Sequence, residues 1–434
     1  MLDKIKEQKL DNGLKIICLQ KDDTPVVSVQ VWYKTGSVNE HDGIRGASHI
    51  LEHMMFRGSE KVASEEHARR INDVGGHCNA FTAEDITSYI NSVPKDHLTM
   101  VLELEADRMQ NLTLDKELFE TERKVIIEEY HTYMNNPVAK AFLEFRTTFY
   151  EDHPYQVSPL GTLQDIQSVS RDALESYYRR WYTPDNAILV VVGDFSSPDM
   201  LFNLIAEEFG KINSGKDTVN RTEIPLKSHS SRWMKRRVDF DVPIVLTGYP
   251  TPASASEDAL PLDILQVIIS QGETSRMHKE IVRKQSLAVM AGGMNHFMKH
   301  TGMSLFFAAF TPDTSHKKIE AAIKTQIETI KKDGISDKEI EKVKNITLTS
   351  RTFELFSAEH LCQRIGYSET VDGDYRNWVR KLEDLEKLTR DQLIEAARKY
   401  WRDDRKHTLF LKPKKVNPLL FVVGLIRRIL PKRK

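Results

Sequence analysis

The chain has 434 residues, 40% apolar and 29% charged, which is the make-up of an ordinary globular protein too long for one compact core. A net charge of −1 gives no electrostatic case for nucleic acid, so no nucleic-acid partner is expected. Three distant cysteines (Cys18, Cys78 and Cys362) exclude a disulfide framework, and Met1–Lys6 lacks the apolar stretch of a secretory signal, so a cytoplasmic compartment is expected.

Read in chain order, Leu14–Cys18 and Val26–Trp32 predict strands separated by the turn Asp22-Asp23-Thr24-Pro25. A helix follows from Gly46-Ala47-Ser48, and another from Ala63 to Val74 stops at Gly75-Gly76. His77–Ile90 alternates as a strand does. Lys95–Gln110 and Lys116–Met134 are amphipathic helical stretches, the second closed by Asn135-Asn136-Pro137. Ala187–Gly193 reads as a buried strand followed by a helix over Pro198–Phe209. The polar stretch from Lys211 to Ser231 reads as a linker, centred on residues 216–230.

Beyond the linker the order of elements recurs. Ile244–Tyr249 predicts a strand, Ala259–Ser270 a helix and Gly302–Phe310 a strand, and two long charged helical stretches then end near Trp401. The expected class is therefore α+β, with two domains of similar plan at 1–215 and 231–414. Residues 415–434 form a tail whose apolar run, Pro418–Ile426, is too short to span a bilayer and is followed by a basic cluster. Residues 418–434 suit an anionic membrane surface, with the chain peripheral there, or a partner groove; a poorly ordered terminus is the plainer reading.

The chemistry concentrates in His49-Ile50-Leu51-Glu52-His53. Two imidazoles four positions apart lie one turn apart on one helix face and can share a tetrahedral zinc. Glu52 adjoins the second of them and can accept a proton from water activated there. A third protein ligand is needed, with the fourth position left to water. Glu122-Arg-Lys-Val-Ile-Ile-Glu128-Glu129 offers it: Glu122 and Glu129 are two turns apart on one face, and Glu128 points about 100° away. Glu129 is taken as the ligand and Glu122 as a supporting carboxylate that orients a histidine or tunes the metal. Taken alone, Glu122, Glu128 and Glu129 read first as a solvated helix face beside Arg123 and Lys124. The second half offers Leu260–Ile269 where the first has its histidines, so one zinc per chain is expected.

The chain resembles the pitrilysin or insulinase-like zinc peptidases, which carry the inverted H-x-x-E-H motif. It is similar in particular to their short form, such as the β subunit of the mitochondrial processing peptidase and bacterial relatives. The resemblance spans nearly the whole chain. It rests on Gly46–Gly58, Gly75–Thr82, the 76 residues from His53 to Glu129, Tyr182–Ala187 with Gly193-Asp194, and Gly272–Arg276. It implies His49, His53 and Glu129 as zinc ligands and Glu52 as general base. It also implies two homologous domains, each a mainly antiparallel sheet packed with helices, closing like a clam on an internal chamber. The strand matching Asn79, Ala80 and Phe81 would pair with the backbone of a peptide substrate.

One part of the pattern is missing. Relatives with a complete site carry an Arg and a Tyr seven apart in the second half, which serve the substrate carbonyl and the developing oxyanion. The matching stretch is Val282-Arg283-Lys284-Gln285-Ser286-Leu287-Ala288-Val289, with valine at both positions. Valine donates no hydrogen bond, and Arg283 is one residue off. This suggests a split site in which a related subunit supplies the Arg and Tyr; a shifted alignment, or Arg276 or His296 as a substitute, is the simpler alternative. The expected function is a zinc endopeptidase for peptides or small unfolded polypeptides, within a hetero-oligomer. The alternatives are a non-catalytic assembly subunit, like the related core proteins of a respiratory complex, and a processing peptidase for targeting sequences.

Overall fold

The computed structural model describes residues 4–215, 224–226 and 230–415. Most of the expected linker and residues 416–434 lie outside them, and with the latter the expected membrane-surface segment. Among the described residues no helix is long and apolar enough to cross a membrane.

Among the described residues, eleven strands form two sheets. The first holds β1 (Ile5–Lys9), β2 (Lys15–Gln20), β3 (Val26–Tyr33), β4 (His77–Thr82), β5 (Thr87–Pro94) and β6 (Ala187–Gly193), ordered β1-β2-β6-β3-β5-β4. The second holds β7 (Arg232–Val238), β8 (Ile244–Thr251), β9 (Met290–Phe297), β10 (Gly302–Ala309) and β11 (His407–Pro413), ordered β7-β11-β8-β10-β9. With the edge strand β1 set aside, the wiring is the same in both. The first strand pairs parallel with the last, and every other pairing is antiparallel. In each sheet a helix lies between the second and third strands: Ala47–Met54 in one, Ala259–Ser270 in the other. The fold is thus α+β with two homologous halves.

Several expectations need correction. His77–Ile90 is two strands, because Glu84-Asp85 form a two-residue hairpin turn between Ala83 and Ile86. Alternation has the same period on both sides of a reversal and does not reveal it. The two long charged helices of the second half are five, Asn377–Lys387 and Arg390–Tyr400 among them. The latter is opened by a capping box at Thr389 and Gln392. The strand Ile5–Lys9 and the helices Pro137–Phe149 and Arg171–Trp181 had no counterpart in the expected elements.

The compact units do not follow the two halves of the sequence. One comprises residues 1–132, 157–222 and 350–380; the other comprises 133–156, 223–349 and 381–434. Each sheet therefore receives a helix from the opposite half of the chain. Pro137–Phe149 packs on β7 and β11, and Ala358–Tyr367 packs on β3 and β6. On β3, Val27, Val29, Val31 and Tyr33 face the main apolar core. The alternate residues Ser28, Gln30 and Trp32 are buried on the opposite face, and Gln30 Nε2 donates to the Glu359 carbonyl at 3.1 Å. The incoming helix comes close because its inner residues are small. The buried Cys362 thiol donates to the Val190 carbonyl at 3.2 Å. A side chain at Gly366 would start 2.1 Å from Trp32 Nε1.

Candidate metal centre and its acid-base residue

The helix Ala47–Met54 buries Ala47, Ile50, Leu51 and Met54, an i, i+3, i+4, i+7 stripe. That stripe fixes the helix's rotation and leaves His49, Glu52 and His53 on the complementary face. Its N-terminus is held from outside. Buried Glu40 accepts the Gly46 and Ser48 backbone N–H groups at 2.7 and 2.8 Å, satisfying amides that have no partner within the helix.

Across from it, the helix Lys116–Asn135 buries Phe119, Glu122 and Ile126. This turns Glu129 toward the histidines. Its Oε2 lies 3.7 Å from both His49 Nε2 and His53 Nε2, and one donor atom from each of the three residues falls within 4.8 Å of the others. A tetrahedral ion bound at about 2.0–2.2 Å sets its ligand atoms roughly 3.4 Å apart, so these residues fit zinc. Burial lowers the His49 pKa to about 4, which keeps the ring neutral and able to bind metal at neutral pH. Glu129 is half exposed, so the site opens on that side. Glu128 is exposed as well.

Glu122 lies beside His53 and Arg57. Its Oε2 lies 3.1 Å from His53 Nδ1, and its Oε1 takes an ion pair with Arg57 at 2.7 Å. This fixes the tautomer that leaves His53 Nε2 to the metal. His49 Nδ1 is buried and has no hydrogen-bond partner among the described residues. Replacing Glu122 with Gln should weaken zinc binding about 10- to 100-fold, read by competition with a chromogenic chelator. Unchanged affinity would remove Glu122 from the metal's support.

Glu52 is partly buried, and burial raises its pKa. Thr82 opposes that shift: its hydroxyl donates to Glu52 Oε2 at 2.6 Å, and its backbone N–H also favours the ionised form. Thr82 ends β4, which is an edge strand. Counting alternation from the Ala83–Ile86 hydrogen bond, Asn79 and Phe81 exchange their backbone bonds with β5, while Cys78, Ala80 and Thr82 turn theirs outward. The Ala80 N–H donates to the Asn79 side chain instead of the ladder. Of Asn79, Ala80 and Phe81, then, Ala80 presents its backbone at the free edge. The Phe81 ring packs edge-on against Trp32, with centroids 5.6 Å apart.

Glu40, Arg57 and Thr82 were not singled out from the sequence. Their roles come from hydrogen bonds between residues distant in sequence, although Arg57 and Thr82 both lie within the quoted motifs. In the second half, Val282 packs against the apolar core, Val289 is exposed, and Arg283 pairs with Glu273. Arg276 is held in a two-pronged ion pair with Glu339 and also donates to the Gly334 carbonyl. His296 is exposed on β9.

Residues 15–163 match the family described as insulinase (peptidase family M16), and residues 168–347 match that family's inactive domain. The chain is 30% identical over 426 residues to the zinc protease PqqE of Helicobacter pylori, covering 95% of this chain and 94% of that protein. It is 25% identical to an uncharacterized zinc protease of Bacillus subtilis, YmxG, over 92% of this chain and 96% of that one. Among solved structures, a protease from Helicobacter pylori superposes with a TM-score of 0.89 at 29% identity, covering 94% of this chain and all of the other. A peptidase M16 inactive domain from Pseudomonas fluorescens superposes at 0.86 with 15% identity over 95% and 98%, which is a likeness of fold.

Proposed function

Because the chain belongs to the insulinase-like peptidase family, M16, we propose that it is a zinc-dependent endopeptidase acting on peptides or small unfolded polypeptides, with one zinc per chain. The observation that carries the proposal is the convergence of His49, His53 and Glu129 beside Glu52. An assembly subunit has no need of all four residues. Zinc, when bound, would supply a Lewis acid that polarises the scissile carbonyl and acidifies water.

The chain's own residues would do the rest. Glu52 would take a proton at its carboxylate and return it to the leaving amine. Glu122 would keep His53 in its metal-binding tautomer. The open edge of β4 would take the substrate as an added strand through backbone bonds, favouring extended peptides over particular side chains.

We further propose that a related subunit supplies the Arg and Tyr missing at Val282 and Val289. Both valines lack a donor, and Arg276 is already engaged by Glu339.

The test is cleavage of an internally quenched peptide by the full chain, alone and with a related chain carrying that Arg and Tyr. One equivalent of zinc, loss of cleavage with a chelator and recovery on adding zinc are expected, with full activity only in the pair. Hydrolysis indifferent to chelation would overturn the metal reading. Full activity from the isolated monomer would overturn the split site and leave the metal reading intact.

A further inference from the structure

We propose that Thr82 is a positioning residue that fixes Glu52 relative to the substrate-receiving edge of β4. The inference rests on the peptidase reading and deepens it. Ionised Glu52 can only accept hydrogen bonds, and the Thr82 hydroxyl, with a single hydrogen, gives it to Oε2 at 2.6 Å. Thr82 therefore joins the element that would hold the peptide backbone to the group that would move the proton.

Thr82 is itself firmly placed. The Ala83 N–H donates to the Ile86 carbonyl at 2.8 Å, closing the hairpin immediately after it. Ser37 and Val38 then donate their N–H groups to the carbonyls of Ala83 and Glu84, at 3.3 and 2.9 Å. This clamp needs a residue without a side chain beside it, since a Cβ at Gly36 would lie 2.2 Å from the Ala83 oxygen. The carboxylate of Glu52 is thus referenced to the backbone at the end of β4, not only to its own helix. A peptide paired along Cys78 and Ala80 runs toward Glu52 in a fixed register. A shift of an ångström in a catalytic group costs orders of magnitude in rate, so this tether has catalytic weight.

The test compares Thr82→Val, which keeps the shape and loses the hydroxyl, with Thr82→Ser, which keeps the hydroxyl. It uses the preparation in which wild-type hydrolysis depends on zinc. Thr82→Val should bind zinc as wild type does and lose about 10- to 100-fold in kcat with little change in KM. Thr82→Ser should return to within about threefold of wild type. Crystal structures of both variants supply a readout independent of turnover. The Glu52 carboxylate should leave its place in Thr82→Val and keep it in Thr82→Ser. Wild-type kcat in Thr82→Val, equal impairment of both variants, or an unmoved carboxylate in Thr82→Val would each overturn the proposal. Absence of zinc-dependent hydrolysis in the wild type would instead overturn the peptidase reading, and the carboxylate's position would still decide the role of Thr82.

Discussion

Glu52→Gln will lower kcat by about 10³-fold, near 4 kcal/mol of transition-state stabilisation, while the protein keeps its zinc and its melting temperature. Glutamine has the size of glutamate, and its carbonyl oxygen can still accept the Thr82 hydroxyl, so the surroundings have little reason to rearrange. His49, His53 and Glu129 are untouched, and Glu122 still supports His53. What the amide cannot do at neutral pH is take up a proton. Metal analysis, thermal unfolding and steady-state cleavage of a quenched peptide, measured on one preparation, check the three parts together. Turnover within tenfold of wild type would remove Glu52 from proton transfer. Loss of zinc would mean that Glu52 helps to hold the site rather than to run the chemistry.

The second large effect concerns stability, and helix propensity predicts the opposite sign. Gly366 sits inside the helix Ala358–Tyr367, where replacing Gly by Ala should gain about 1 kcal/mol. Its new methyl group would meet the fully buried Trp32 indole at 2.1 to 2.6 Å. Trp32 has little room to give way, because its Nε1 donates to Gln30 and that side chain is tied to the Glu359 carbonyl. Overpacking of this kind costs typically 1–3 kcal/mol, at the upper end for a clash with a rigid ring. We expect Gly366→Ala to be destabilising by about 1–2 kcal/mol net and to lower Tm by roughly 2–4 °C. A raised Tm would show that the helix can lift off the sheet without penalty.

Both predictions rest on features that differ in how far the sequence discloses them. His49, Glu52 and His53 stood out because their spacing is that of one helix face; seven residues put Glu122 and Glu129 on one face too, but that alone equally describes a solvated helix, and only the resemblance singled out Glu129. Ala187–Gly193 and Pro198–Phe209 were legible down to their ends, since an unbroken apolar run or a Ser-Pro start carries its own boundary signal. The Glu40 cap and the Thr82 bond were not legible, because a hydrogen bond between distant residues leaves no periodic trace. Nor was the exchange of helices. Periodicity tells that Ala358–Tyr367 buries a face, and nothing in it names the sheet that face covers. The polar residues Ser28 and Gln30 on β3 hinted at an unusual neighbour, but buried polar groups show their meaning only once their partners are placed.

The exchange of helices also bears on the protein's birth. All six strands of the first sheet have been synthesised once residue 193 is made, yet the helix that seals one of its faces begins at residue 358. At about 5–20 residues per second, that face of the nascent chain stays uncovered for roughly 10–30 s. Trp32 and the alternate residues of β6 are exposed to water or to a chaperone in that interval. A chain truncated before residue 358 never escapes it, so we expect premature termination products to be aggregation-prone and quickly degraded rather than stable single domains.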